Sequence, residues 1–133
     1  MIIRRSLTLR NARATVHLNT LAGGSIHAYT GTMPVDGEAV TDQVLLASWT
    51  LPDPAGTVDG GEFALVPNQE TMVLADGTPT WVRVLDSAGG WVKDMDAGAA
   101  VAPPAVGPAV IVTPAQLYAG GTARIERLRL IEP

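Results

Sequence analysis

Residues 81–92, Trp-Val-Arg-Val-Leu-Asp-Ser-Ala-Gly-Gly-Trp-Val, alternate into a strand, a glycine turn and a second strand. Two strands alone are marginal in water, so this hairpin belongs to a larger sheet. Other short apolar runs have the same form. Residues 25–30 predict a strand with Ile26 and Ala28 on one face and Tyr29 on the other. Residues 31–37 hold Pro34 between Gly31 and Gly37 and predict a turn. Residues 43–51 predict a strand in which Leu45, Ala47, Trp49 and Leu51 share a face, stopped by Pro52 and Pro54. Strands are also expected over 62–66, 71–75 and 109–113, with a turn at Asp76-Gly77.

Residues 122–131 predict the final strand, after the turn Ala119-Gly120-Gly121. Its phase slips: Ala123 and Ile125 lie on one face, Leu128 and Leu130 on the other. Either a bulge near Glu126-Arg127 restores one face, or the strand passes from one sheet to another. Residues 7–21 are ambiguous. Leu9, Ala12 and Val16 form a helical stripe that Gly23-Gly24 would end, while Ala14, Val16 and Leu18 alternate like a strand. The helix is the preferred reading. Residues 97–108, rich in Ala and Pro, predict an extended loop. The expected fold is mainly β: a β-sandwich or jelly-roll-like domain, residues 1–133, with 1–24 as an N-terminal arm and short helix.

Composition narrows the class. A chain of 133 residues can bury a real core as one domain. With 47% hydrophobic and 17% charged residues, disorder is a poor explanation. The absence of cysteine removes disulfides, thiolate metal sites and a cysteine nucleophile. No apolar run is long enough to span a bilayer, and residues 1–6 lack the core of a signal peptide. No membrane partner is expected.

Charge is segregated within the net of −4. Arg4, Arg5, Arg10 and Arg13 precede the first acid, Asp36, whereas residues 31–100 carry eleven acids against Arg83 and Lys93. Such segregation favours complementary contacts between copies or with an acidic neighbour. Nucleic acid is not an expected partner, because aromatics do not interleave the arginines and the pI is about 4.9.

Candidate chemistry is sparse. His17 and His27 stand ten residues apart in different elements, too isolated for a local metal pair. Asp94 and Asp96, with Asp86 across the hairpin, offer oxygens but no calcium loop. Ser25, His27 and Asp36 compose a triad on paper without a nucleophile elbow. The Gly-Gly pairs lack the Lys-Ser/Thr of a phosphate loop and serve turns. Trp49, Trp81 and Trp91 read as core anchors in preference to a sugar-stacking platform, with Trp91 the most exposed of the three. No cofactor, metal or catalytic residue is expected.

Four segments together resemble a group of small proteins encoded in tailed-bacteriophage and prophage genomes. They are Gly24-Ser25-Ile26-His27-Ala28-Tyr29-Thr30-Gly31-Thr32-Met33-Pro34, Val44-Leu45-Leu46-Ala47-Ser48-Trp49-Thr50-Leu51, the hairpin from Trp81 to Gly89, and Ala119-Gly120-Gly121-Thr122. The likeness spans roughly residues 7–131, departing at Val82, where the group has Phe, and in the Pro-rich stretch 102–108. It implies a non-enzymatic virion component, with capsid decoration first and a head–tail connector, collar or tail position second. A carbohydrate-binding adhesin is the alternative from another class. The expected partners are the major capsid protein or other virion subunits, with the chain a homo-oligomer in the assembly. Arg4, Arg5, Arg10, Arg13, Pro103, Pro104 and Pro108 are the expected contact residues.

Overall fold

The computed structural model describes residues 4, 6–60, 62–65, 70–98 and 109–131, with main chain alone at 59, 62–65 and 127–131. The chain is mainly β with one N-terminal helix, as the pattern predicts. Helix α1 spans Leu7–Leu21. It is followed by β1 (Ser25–Tyr29), β2 (Leu45–Thr50), β3 (Gly56–Asp59), β4 (Glu62–Leu65) and β5 (Thr71–Met72). Then come β6 (Trp81–Leu85), β7 (Trp91–Gly98), β8 (Val110–Thr113) and β9 (Thr122–Ile131).

Ser6 starts α1, its Oγ accepting from the amide of Leu9 at 3.1 Å and so satisfying one of the free donors of the first turn. Gly23, at φ +72°, turns the chain out of the helix, and Gly24 leads into β1. The buried stripe is Ala14, Leu18 and Leu21. The expected stripe of Leu9, Ala12 and Val16 is instead on the exposed side. The correction has a simple cause: both stripes fit a helical period, and the small Ala14 is the residue that permits close approach to the core.

The strands form one hydrogen-bonded path, β2-β1-β6-β7-β8-β9-β4-β3, with β5 beside β9. All pairings are antiparallel except β7–β8. The path curls back on itself, because Leu74, just past β5, donates its amide to Leu46 of β2 at 2.7 Å. Seven strands thereby close a barrel-like ring, while β3 and β4 continue from the far part of β9 and pack against α1. Closure covers edges that would otherwise pair with other chains.

Register places Ile26 opposite Trp49 and Val84, and Ala28 opposite Ala47 and Val82. These residues fill the interior. Trp49 is fully buried, and its Nε1 donates across the barrel to the carbonyl of Ala123 at 3.3 Å. Leu46, on the opposite phase of β2, is buried as well, against Gly77. A side chain at Gly77 would collide with Thr30 and Leu46. In β9, Ile111 pairs with Arg127 and Val112 with Ile125, so the register skips Glu126. That bulge lies where the phase slip predicts one. The same strand serves β5, then β4, along its other edge.

Strand β3 was not expected; β5 ends at Met72, earlier than predicted, although Val73 and Leu74 continue to hydrogen-bond. Ala97 and Gly98, expected in the loop over 97–108, belong to β7; residues 99–108 lie outside the described residues.

Candidate interaction surfaces

Two outward faces carry the residues of interest. The first is the outer side of β1, β6 and β7. Alternation sends Ser25, His27 and Tyr29 outward from β1, and register sets His27 beside Arg83 and Tyr29 beside Trp81. The Tyr29 and Trp81 rings stack with centroids 4.6 Å apart. Arg83 lies over Trp81, its guanidinium carbon 5.3 Å from the ring centroid.

Arg83 interrupts an apolar strand, and a buried cation needs a partner. It has one: Nε donates to Asp94 Oδ1 at 2.8 Å and Nη2 to Oδ2 at 3.0 Å. Nη2 also donates to the carbonyl of Glu38 at 2.9 Å, which pins the 31–44 loop over this face. The hydrogen bond to Asp94 holds the guanidinium pKa above its ordinary value, outweighing desolvation. Burial raises the pKa of Tyr29 and lowers that of His27. Tyr29 and Arg83 shield Trp81, while Trp91 at the start of β7 has Gly37 of the loop against its ring and stays 47% exposed.

This geometry assigns the candidate chemistry to structure. Ser25 Oγ and His27 Nε2 are 3.3 Å apart, but they are neighbours on one strand face. Among the described residues no hydrogen bond joins Asp36 to His27, so the paper triad is not assembled. The acids of the hairpin are engaged one by one. Asp94 holds Arg83; Asp96 Oδ1 accepts from the amide of Ala109 at 3.0 Å; Asp86 Oδ1 accepts from Gly90 and Ala88 in the turn. No cluster of three or more metal-ligating side chains occurs among the described residues. His17 lies on α1 and His27 on β1. The three tryptophans differ in setting: Trp49 is inside the barrel, Trp81 is buried between Tyr29 and Arg83, and Trp91 is outside. A stacking platform is not formed.

The second face is the outer side of α1. Leu9 and Val16 are exposed there, and Ala12, Arg13, Val16, His17 and Thr20 line a groove of about 540 Å³ completed by Val92 of β7. Leu9, Arg13, Val16 and Thr20 recur every three or four residues, so one side of the helix presents them together. Arg4 is exposed and Arg10 and Arg13 are half-buried at this end of the molecule. The helix carries no acid to offset them. Of the expected contact residues, Arg4, Arg10 and Arg13 thus fall in or next to α1. Arg5, Pro103, Pro104 and Pro108 lie outside the described residues.

A third surface escaped the sequence reading: Met72, Leu74 and Tyr118 are exposed where β5 meets the 114–121 turn. Alternation of Met72 and Leu74 around the buried Val73 was its available signal.

Comparison of the chain with protein-family models, with curated proteins and with solved structures gives no match.

Proposed function

We propose that the chain is a non-enzymatic structural component of a tailed-bacteriophage virion, a decoration protein that clamps the capsid surface through the outer face of α1. A head–tail connector, collar or tail position is the alternative within the same reading. The resemblance to small phage-encoded proteins supplies the setting. The observation that carries the docking surface is the double use of α1: Ala14, Leu18 and Leu21 anchor it in the core, and Leu9 and Val16 remain outside on a helix whose own charged residues are all arginines.

Such a face suits a passive clamp. Fully burying one leucine or valine is worth about 1.5–3 kcal/mol, and part of that is already realised here, so a single contact is weak. Repetition around a symmetric shell adds avidity. The arginines steer the encounter with an acidic neighbour and set its orientation.

The test is rebinding of purified protein to particles stripped of it, across a salt series. Occupancy should fall as salt rises, because exposed pairs are screened within about 8 Å at 0.15 M. Joint Arg4→Glu and Arg5→Glu substitution should lower occupancy at low salt and leave the isolated domain folded. Charge-reversed protein that binds like wild type at low salt would refute the role of the basic end.

A further inference from the structure

Trp91 is an exposed aromatic ring whose position the fold fixes. It starts β7 and is 47% exposed, a setting in which side chains ordinarily hop between rotamers. Here its neighbours hold it. Trp91 Nε1 donates to Asp94 Oδ1 at 3.1 Å, and Asp94 is itself held by Arg83, through Nε at 2.8 Å and Nη2 at 3.0 Å. The 31–44 loop lays Gly37 against the ring, so closely that a side chain at position 37 would collide with the indole. Arg83 Nη2 fastens that loop by donating to the carbonyl of Glu38. An indole fixed in advance loses little freedom when a ligand covers it.

Charge selects the ligand. Asp36 and Glu38, on either side of Gly37, are both exposed. Among the described residues neither carboxylate takes part in a hydrogen bond or an ion pair, in contrast to Asp86, Asp94 and Asp96 of the adjacent hairpin. The chain holds no lysine or arginine between Arg13 and Arg83, so the loop brings acids and no cation of its own. Arg83 is committed to Asp94 and the Glu38 carbonyl, and Lys93, half-buried on β7, has interactions of its own.

The face of an indole is the negative side of its quadrupole and attracts cations, tryptophan most strongly of the aromatic residues. Donation from Nε1 to a carboxylate polarises the ring in the same sense. An apolar ligand covering this surface would take two carboxylates out of water without a partner, and an anion would be repelled. A cation with an apolar stem satisfies both the ring and the acids.

We infer that Trp91, Asp36 and Glu38 form a binding site for an organic cation, an alkylammonium or guanidinium group that stacks on the indole and pairs with the loop carboxylates. Such a group comes from a free polyamine or from a basic side chain of a partner protein. The site is on the β7 hairpin and its loop, so the inference depends neither on α1 as a docking face nor on the virion setting.

The experiment follows the indole N–H signals of the 15N-labelled full chain by NMR, with that of Trp91 assigned from Trp91→Phe. The probes are N-acetylarginine amide, its neutral isostere N-acetylcitrulline amide, and methyl β-galactoside. The arginine amide should move the Trp91 signal saturably and leave that of the buried Trp49 in place, with binding weaker as salt rises. The citrulline amide and the galactoside should give no saturable shift. Joint Asp36→Asn and Glu38→Gln substitution should weaken binding about fivefold, the scale of two exposed ion pairs. Both positions are exposed, and asparagine suits the left-handed backbone of Asp36 at φ 50°; circular dichroism checks the fold. Spermidine against an acetylated triarginine amide of equal charge separates the sources: tighter spermidine binding assigns the site to a polyamine, and the reverse to a basic protein segment. Equal shifts from the arginine and citrulline amides, a saturable response to the galactoside alone, no saturable response to any cation, or unchanged affinity in the doubly substituted protein would each overturn the inference. The arginine–citrulline comparison needs no variant, so it decides the matter even if the substitutions unfold the chain.

Discussion

Truncating Trp81 and Trp91 to alanine removes the same atoms from two environments in one hairpin, and the structure assigns them very different costs. Trp81 is 1% exposed, stacked on Tyr29 and hydrogen-bonded through Nε1 to the carbonyl of Thr30 at 3.2 Å. A buried tryptophan removes about 200 Å² from water, or roughly 5 kcal/mol at about 25 cal/mol per Å². A compact unfolded chain trims this to about 3–4 kcal/mol, and the ring stack restores about 1 kcal/mol. The expected loss is about 3–5 kcal/mol, the range of large buried aromatics. Trp91 is half-exposed and forfeits its cover over Gly37 and a bond from Nε1 to Asp94 Oδ1, so its truncation should cost about 1–2 kcal/mol. Urea unfolding followed by circular dichroism measures both. With a slope near 1.5 kcal/mol per molar, Trp81→Ala should lower the midpoint by roughly 2–3 M and Trp91→Ala by about 1 M. Equal shifts, or a loss at Trp81 below about 1.5 kcal/mol, would refute the burial of Trp81 against Tyr29.

Three further outcomes follow from the same face and its end. Asp94→Ala leaves the Arg83 charge buried without its carboxylate and should cost about 3–5 kcal/mol in the same assay; pairing it with Arg83→Met should recover much of that loss. Burial depresses the pKa of His27 in the fold below 6.5, so its contribution is intact above pH 6.5 and declines as pH falls toward the folded value. His27→Gln should flatten that part of a stability–pH profile, and an unchanged slope would contradict the burial argument. Gly24→Ala drives a methyl group into the carbonyl of Leu85 and should lower the melting temperature, whereas alanine at Ser87, exposed in the adjacent turn, should not.

The sequence made the hairpin and β9 legible because alternation and glycine turns coincide there. The phase slip at Glu126 was readable for the same reason, since a period of two makes one extra residue conspicuous. Strand β3 was not, because Gly56-Thr57-Val58-Asp59 has one apolar side chain and owes its conformation to pairing with β4. The helix was found but its faces were exchanged: Leu9 and Val16 outweigh Ala14 in hydrophobicity, yet the contact with the core selects Ala14 for its size. The Arg83–Asp94 pair had a visible clue, a cation between Val82 and Val84. Pairing it with Asp94 required the hairpin register, which a bulge near Leu85 shifts.

The claim that the outer stripe of α1 is the docking face admits one direct measurement. The chain has no cysteine, so Val16→Cys and, as a control on the hairpin turn, Ala88→Cys each introduce a single exposed thiol. Alkylation rates are compared for each protein free, at a concentration where it is monomeric, and bound to its particle. The thiol at position 16 should be reactive in the free protein and protected on the particle, while the thiol at position 88 reacts alike in both. Equal reactivity at position 16, free and bound, would contradict the account.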